Sequence, residues 1–146
     1  YDRLVNEYEI LRKAVLENNV KITERIINDL NIEKEIAVNF APKEENSLLF
    51  LACQNGYIEQ VDCLINAGAK CNAHKTTKCT PLYAAIRAGH IAIVKKLLTQ
   101  FPDSINCVTS ENWSPLHVAC INGKNEIVDL LLTHSYSAEQ LRKLRY

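Results

Sequence analysis

The chain has 146 residues, 47% of them hydrophobic, and its 17 Lys and Arg balance 17 Asp and Glu. That apolar content suffices for one buried core, and zero net charge excludes a whole-molecule field that would draw in nucleic acid or a membrane. No apolar run of about 18 residues and no basic stretch leading into an apolar one occurs, which excludes a helical membrane span and a secretory leader within these residues.

Residues 2 to 17 contain no Gly or Pro and place Leu4, Tyr8, Leu11 and Val15 on one stripe, so a long first helix is expected, with Glu7, Glu9, Arg12 and Lys13 toward solvent. The segment from Asn28 to Val38 has no comparable pattern and is expected to bulge as a longer connection. Ser47 then opens "SLLFLACQNGYIEQVDCLI", Thr80 opens "TPLYAAIRAGHIAIVKKLL" and Ser114 opens "SPLHVACINGKNEIVDLLL". Ser or Thr caps a helix start, Pro fits the first turn where its missing N–H costs nothing, and Gly ends the helix in a left-handed conformation. A second helix follows each Gly. At the end, Ser137 and Gln140 form a weak capping box before "LRKLRY", with Leu141 and Leu144 on one face.

These three stretches are one unit repeated. Leu49, Leu82 and Leu116 lie 33 and then 34 residues apart, and Ala52, Ala85 and Ala119, Gly56, Gly89 and Gly123, Val61, Val94 and Val128, and Leu64, Leu97 and Leu131 keep the same register. Leu11, Ala14, Asn18, Ile26 and Ile27 fall into these slots upstream with an offset of 38. Asn18 stands there for the Gly, being able to adopt its left-handed conformation. The linkers "NAHKTTKCT" (Asn72 to Thr80) and "NCVTSENWS" (Asn106 to Ser114) have equal length and read as projecting turns.

Slot for slot the units resemble ankyrin repeats, whose T-P-L-H-x-A signature and period near 33 they share. The resemblance covers roughly residues 7 to 134. It implies an all-α solenoid of stacked helix pairs with projecting turns and helical caps at both ends. The whole of 1–146 is expected to form one domain, with units near 7–38, 39–71, 72–105 and 106–136 and a capping helix or further segment at 137–146. The sequence departs from the family at the turn glycine, replaced by Glu45, Lys78 or Asn112, and at the turn Asp, replaced by Lys75 or Thr109.

Candidate chemistry is weak. His117 and Cys120 stand i, i+3 as a base and nucleophile could, but their slots accept Phe50 and Tyr83, and Cys53 and Ile86, which points to packing. Cys71, His74 and Cys79 have partial zinc-like spacing, but a fourth ligand such as Cys107 would sit about 10 Å away, the spacing of packed helices. No Gly-rich phosphate loop occurs, and no catalytic, cofactor or metal residue is assigned. The six cysteines lack paired spacing and read as reduced thiols of an intracellular protein, cytoplasmic or nuclear. In that compartment the Asn112-Trp113-Ser114 sequon goes unused. Beginning at Tyr1 and lacking Met, the chain reads as a fragment of a longer protein.

What remains is a surface. The resemblance implies that partner contacts fall on the turn residues and on the two positions before the helix-ending Gly. In this chain those are Lys43, Glu44, Asn46, Gln54 and Asn55, then Thr76, Thr77, Cys79, Arg87 and Ala88, then Ser110, Glu111, Trp113, Ile121 and Asn122. Lys78 adds a cation. The expected function is that of a monomeric adaptor or scaffold module binding another protein. Its alternatives are a substrate-recruiting domain of a larger enzyme such as a ubiquitin ligase, kinase or bacterial effector, or an anion or nucleic-acid surface on Lys70, Lys75, Lys78, Arg87, Lys95 and Lys96. Lys95 and Lys96 are expected on the outer face, and three remaining cations suit an acidic peptide better than a duplex. Trp113, the one Trp of the chain, is read as an exposed anchor with Ile121, Arg87 and Lys78 around it, meeting an acidic segment that bears an apolar side chain. On this reading Trp113→Ala costs about 2 kcal/mol or more of binding and leaves the melting temperature nearly unchanged.

Overall fold

The computed structural model describes residues 2–29, 34–42 and 44–135. Among them the elements are helices: α1 (Asp2–Leu16), α2 (Val20–Asn28), α3 (Lys34–Asn39), α4 (Leu48–Asn55), α5 (Ile58–Asn66), α6 (Pro81–Ala88), α7 (Ile91–Gln100), a 3-10 turn (Pro102–Asn106), α8 (Pro115–Ile121) and α9 (Asn125–Ser135). The expected C-terminal cap at 137–146, and Lys43, lie outside the described residues. No helix among the described residues is long and apolar enough to cross a membrane.

The repeated slots explain the local geometry. Ser47, Thr80 and Ser114 hydroxyls each accept the N–H three residues on, at 3.1, 3.2 and 3.2 Å, satisfying one of the orphan donors of the helix start. Gly56 and Gly123 end α4 and its counterpart α8 with φ of 76° and 68°, and Asn18, with φ 54°, closes α1 in the same way.

Helix pairs then stack. α1, α4, α6 and α8 form one row and α2, α5, α7 and α9 the other, each helix touching its neighbours along the row and its partner across it. Leu49, Ala52, Val61 and Leu64 and their counterparts Leu82, Ala85, Val94 and Leu97 are buried in one continuous core. Tyr8, Leu11 and Val15 of α1 are buried against it, while Leu4, on the same stripe, is half-exposed. The Tyr8 hydroxyl donates to the Asn46 carbonyl at 2.6 Å, tying α1 to the start of α4.

Burial, reinforced by Glu45, pushes the Tyr8 phenol up to about 12. Folding therefore favours the neutral phenol, and this contribution is complete below pH 10, where the unfolded chain also keeps it protonated. It is lost as pH rises from about 10 toward about 12. Denaturant titrations across that window should show a steeper loss of stability in the parent protein than in Tyr8→Phe.

Two expectations need correction. The connection from Asn28 to Val38 contains part of α3, because Ala37 and Val38 find apolar cover and become buried. Asn39 at the end of α3 pins it to the next unit: its Oδ1 accepts from the Lys70 N–H at 2.7 Å and its Nδ2 donates to the Gly68 carbonyl at 2.9 Å. In the first projecting turn the left-handed residue is Glu44, φ 67°, and not Glu45. Glu44, Lys78 and Asn112 repeat at a spacing of 34, so one extra residue separates this turn from the Ser47 cap.

One tie between units had no sequence signal. Gln60 of α5 is buried beside buried Thr23 of α2. With its amide oriented to satisfy both ends, its oxygen accepts from the Val20 and Asn19 N–H groups at 3.1 and 3.2 Å, and its nitrogen donates to Thr23 Oγ1 at 3.0 Å. A side chain of the second pair thus caps the outer helix of the first.

Candidate functional site

The projecting turns are built from short-range hydrogen bonds. In the first complete one the His74 N–H donates to the Cys79 carbonyl at 2.8 Å and the Lys78 N–H returns to the His74 carbonyl at 2.9 Å. The His74 ring fills the turn, its Nδ1 accepting from the Thr76 and Thr77 N–H groups at 3.1 and 3.2 Å. Thr109 does this work in the next turn: its N–H donates to the Trp113 carbonyl at 3.0 Å, and its hydroxyl accepts from the Trp113 N–H at 3.2 Å. Neighbouring turns are joined directly. Ser110 N–H donates to the Thr77 carbonyl at 2.9 Å, and Thr76 Oγ1 donates to the Glu44 carboxylate at 3.1 Å.

Between the turns and the inner helices runs an open groove of about 590 Å³. Its walls are Asn46, Phe50 and Gln54, then Thr77, Cys79, Tyr83 and Arg87, then Thr109, Ser110, Glu111 and Trp113. The inner-helix contribution follows helical spacing, since Phe50 and Gln54 are i, i+4, as are Tyr83 and Arg87. Arg87 forms no ion pair among the described residues, although Glu111 lines the same groove. The Tyr83 hydroxyl, the Gln54 amide and the Trp113 indole N–H likewise make no hydrogen bond to a described residue, although these residues stand in the wall.

Of the residues expected from sequence, the groove gathers Asn46, Gln54, Thr77, Cys79, Arg87, Ser110, Glu111 and Trp113. Glu44 lines a separate cleft of about 200 Å³ with Lys75 and His74. The Thr76 hydroxyl is spent on Glu44, and Lys78 is exposed outside both. Asn55 and Asn122 donate back to the carbonyls of Leu51 and Val118 at 2.8 Å each. Ile121 is 63% exposed and shares a shallow depression with Trp113, Glu111, Asn112 and His117. Trp113 is half-buried and packs against the core, so it is not the freely exposed anchor that was expected. Its ring closes the space between turn and helix, and Trp113→Ala must therefore cost stability as well as any binding. Phe50 and Tyr83 were missed as wall residues, yet their slot, which takes Phe, Tyr or His, varied more than a pure core slot would.

The cations sort by partner. Lys70 pairs with Glu35 at 2.9 Å and Lys96 pairs with Asp62. Lys75, Lys78, Arg87 and Lys95 form no ion pair among the described residues.

His117 serves its own helix. Its N–H donates to Ser114 Oγ at 3.2 Å while its Nδ1 accepts from the Ser114 N–H at 3.1 Å, a reciprocal capping box. Among the described residues no three His, Cys, Asp or Glu converge to hold a metal.

Cys120 stands in the slot of buried Cys53, which pointed to packing, and is exposed, because among the described residues no further helix pair stacks on it. Burial pushes the Cys53 thiol well up and the Cys71 thiol up to about 11. Since the thiolate is the nucleophile, a thiol reagent should label exposed Cys107 and Cys120 at least about 100-fold faster than Cys53 in the folded protein. Mass spectrometry of timed samples checks this order, and early loss of the Cys53 thiol would contradict the stacking.

A family model described as ankyrin repeats (3 copies) matches residues 49–143. A leucine-rich repeat serine/threonine-protein kinase 1 of Caenorhabditis elegans is 27% identical over 73% of this chain and 4% of its own length. A glycerophosphocholine phosphodiesterase GDE1 of Candida albicans is 29% identical over 74% of the chain and 10% of its own. Ankyrin repeat protein nuc-2 of Neurospora crassa is 30% identical over 89% of the chain and 12% of its own. The chain thus matches only a small part of each of these relatives.

Proposed function

The chain belongs to the ankyrin-repeat family, and from that premise we propose that it binds another protein in the groove between its turns and inner helices. The supporting observation is the makeup of the wall: aromatic surface from Phe50, Tyr83 and Trp113 beside an Arg87 guanidinium and Tyr83, Gln54 and Trp113 polar groups that find no partner among the described residues. Aromatic and Arg side chains at the centre of a concave surface are what dominates interface energetics, because they bury much area with little entropy loss. Arg87 calls for a carboxylate, held by charge-assisted and bidentate hydrogen bonds. The partner segment therefore carries an acidic residue next to an apolar one, the first for Arg87 and the second for the Tyr83 and Trp113 faces. The module does no chemistry of its own in this reading and acts as a monomer.

A second reading concerns the whole protein. The relatives include a kinase and a phosphodiesterase of which the matched segment is a small part, so the groove would recruit a substrate to a larger enzyme. The nucleic-acid reading loses support, because Lys70 and Lys96 are neutralised by Glu35 and Asp62.

Charge reversal tests the proposal with little risk to folding, since Arg87 and Lys95 are both exposed. Proteins captured from a cell extract by the parent chain should be lost with Arg87→Glu and kept with Lys95→Glu. With a captured partner purified, Arg87→Ala should weaken binding by about 2 kcal/mol, and added salt should weaken the parent complex more than the Arg87→Ala complex. Unchanged binding by Arg87→Glu would sink the groove assignment.

A further inference from the structure

The dipeptide Asn-Gly occurs twice, as Asn55-Gly56 and Asn122-Gly123, at the same slot of two units. In such a pair the Gly nitrogen can attack the Asn side-chain carbonyl carbon, because no Cβ shields it. Folded structure decides whether the two atoms can meet. Both asparagines are helical or nearly so, and reaction needs the local backbone to rotate out of that conformation.

The two sites are held very differently. α4 runs through Asn55, and the next unit closes over Gly56: a Cβ placed there would lie 2.6 Å from the His90 ring. His90 Nε2 lies 3.3 Å from the Gln54 carbonyl, so the ring is anchored across the chain just ahead of the dipeptide. At the other site α8 already ends at Ile121, and Asn122 stands outside it with φ −85° and ψ 2°. No described residue lies within 4 Å of the Cβ position of Gly123. Both asparagines are exposed, but Gly123 is exposed whereas Gly56 is half-buried. Opening at Asn122 breaks its own bonds to the Val118 carbonyl and the turn bonds that follow, and opening at Asn55 must in addition displace His90 and the stacked pair above it.

We propose that Asn122-Gly123 is a site of spontaneous backbone-assisted deamidation and that the fold protects Asn55-Gly56 from the same reaction. The Gly123 nitrogen forms a bond to Asn122 Cγ, its proton passes to the departing side-chain nitrogen, and that nitrogen leaves as ammonia. Water then opens the resulting succinimide at either carbonyl, leaving aspartate or isoaspartate at 122. Either product places a carboxylate beside Ile121, at the depression shared with Trp113 and Glu111, and isoaspartate lengthens the backbone at the helix end. The effect on partner binding rests on the groove reading, but the chemistry does not.

The experiment incubates the folded 146-residue protein at mildly alkaline pH and follows both sites by tandem mass spectrometry of proteolytic peptides, with a parallel sample in denaturant. Native conversion at Asn122 should run at least about tenfold faster than at Asn55, and the two rates should converge in denaturant. Equal native rates, faster conversion at Asn55, or native conversion at neither site overturns the proposal. So does a preference for Asn122 that persists undiminished in denaturant, since sequence neighbours and not the fold would then set it.

Discussion

Gln60→Leu should lower the stability of the fold by about 3 kcal/mol, the largest loss expected from a single polar side chain in this molecule. The buried amide accepts two N–H groups at the start of α2 and donates to Thr23 Oγ1. Leucine matches its bulk but removes every one of those bonds. The Asn19 N–H keeps a second acceptor, the Ala14 carbonyl at 3.1 Å, but the Val20 N–H loses the partner that replaced water, and leaving such a donor unmade costs more than the net value of a bond. Thr23→Val loses two bonds, its donation to the Asn19 carbonyl at 3.0 Å and its acceptance from Gln60, against three for Gln60→Leu, and should cost less. A double-mutant cycle between the two should show coupling, because they share one bond. Equilibrium denaturation of the four proteins measures this, and a neutral Gln60→Leu would mean that the first and second helix pairs are not joined as described.

The second large effect is steric. Ala85 is fully buried on α6, which packs against α4 on one side and α8 on the other. Ala85→Leu adds volume where neither neighbour can retreat and should cost about 1 to 3 kcal/mol. Ala88 lies on the same helix but is exposed, so Ala88→Leu should stay within about 0.5 kcal/mol of the parent. Their contrast in melting temperature isolates packing from helix propensity, which both substitutions change alike. Equal melting temperatures would show that the register of the repeats is misplaced.

The burial of Ala85 was foreseeable because a slot that repeats at 33 or 34 residues meets a similar environment in each internal unit. The same logic made the Ser and Thr caps, the left-handed Gly and Asn18, and the long first helix legible. It failed where an environment is not repeated. Cys120 shares a slot with Cys53 and Ile86, yet among the described residues only the latter two have a further helix pair over them. Gln60 looks like an ordinary polar helix position. It is buried where the diverged first unit starts α2, and there it meets the Val20 N–H and the Thr23 hydroxyl. In the site, the variable slots were visible, but their order of use was not. Thr76, Glu44 and Ser110 are partly consumed in joining one turn to the next, and such bonds depend on how the turns align in space. Trp113 was singled out correctly as unusual, but its partial burial against the core follows from the turn geometry set by Thr109.

The groove is the central claim, and amide chemical shifts of isotope-labelled protein titrated with a captured partner test it most directly. The account predicts that shifts concentrate at Tyr83, Arg87, Ser110, Glu111 and Trp113 and leave the exposed outer residues Glu59, Lys95 and Thr99 unmoved. Shifts gathered on α5 and α7, with the groove residues silent, would contradict it.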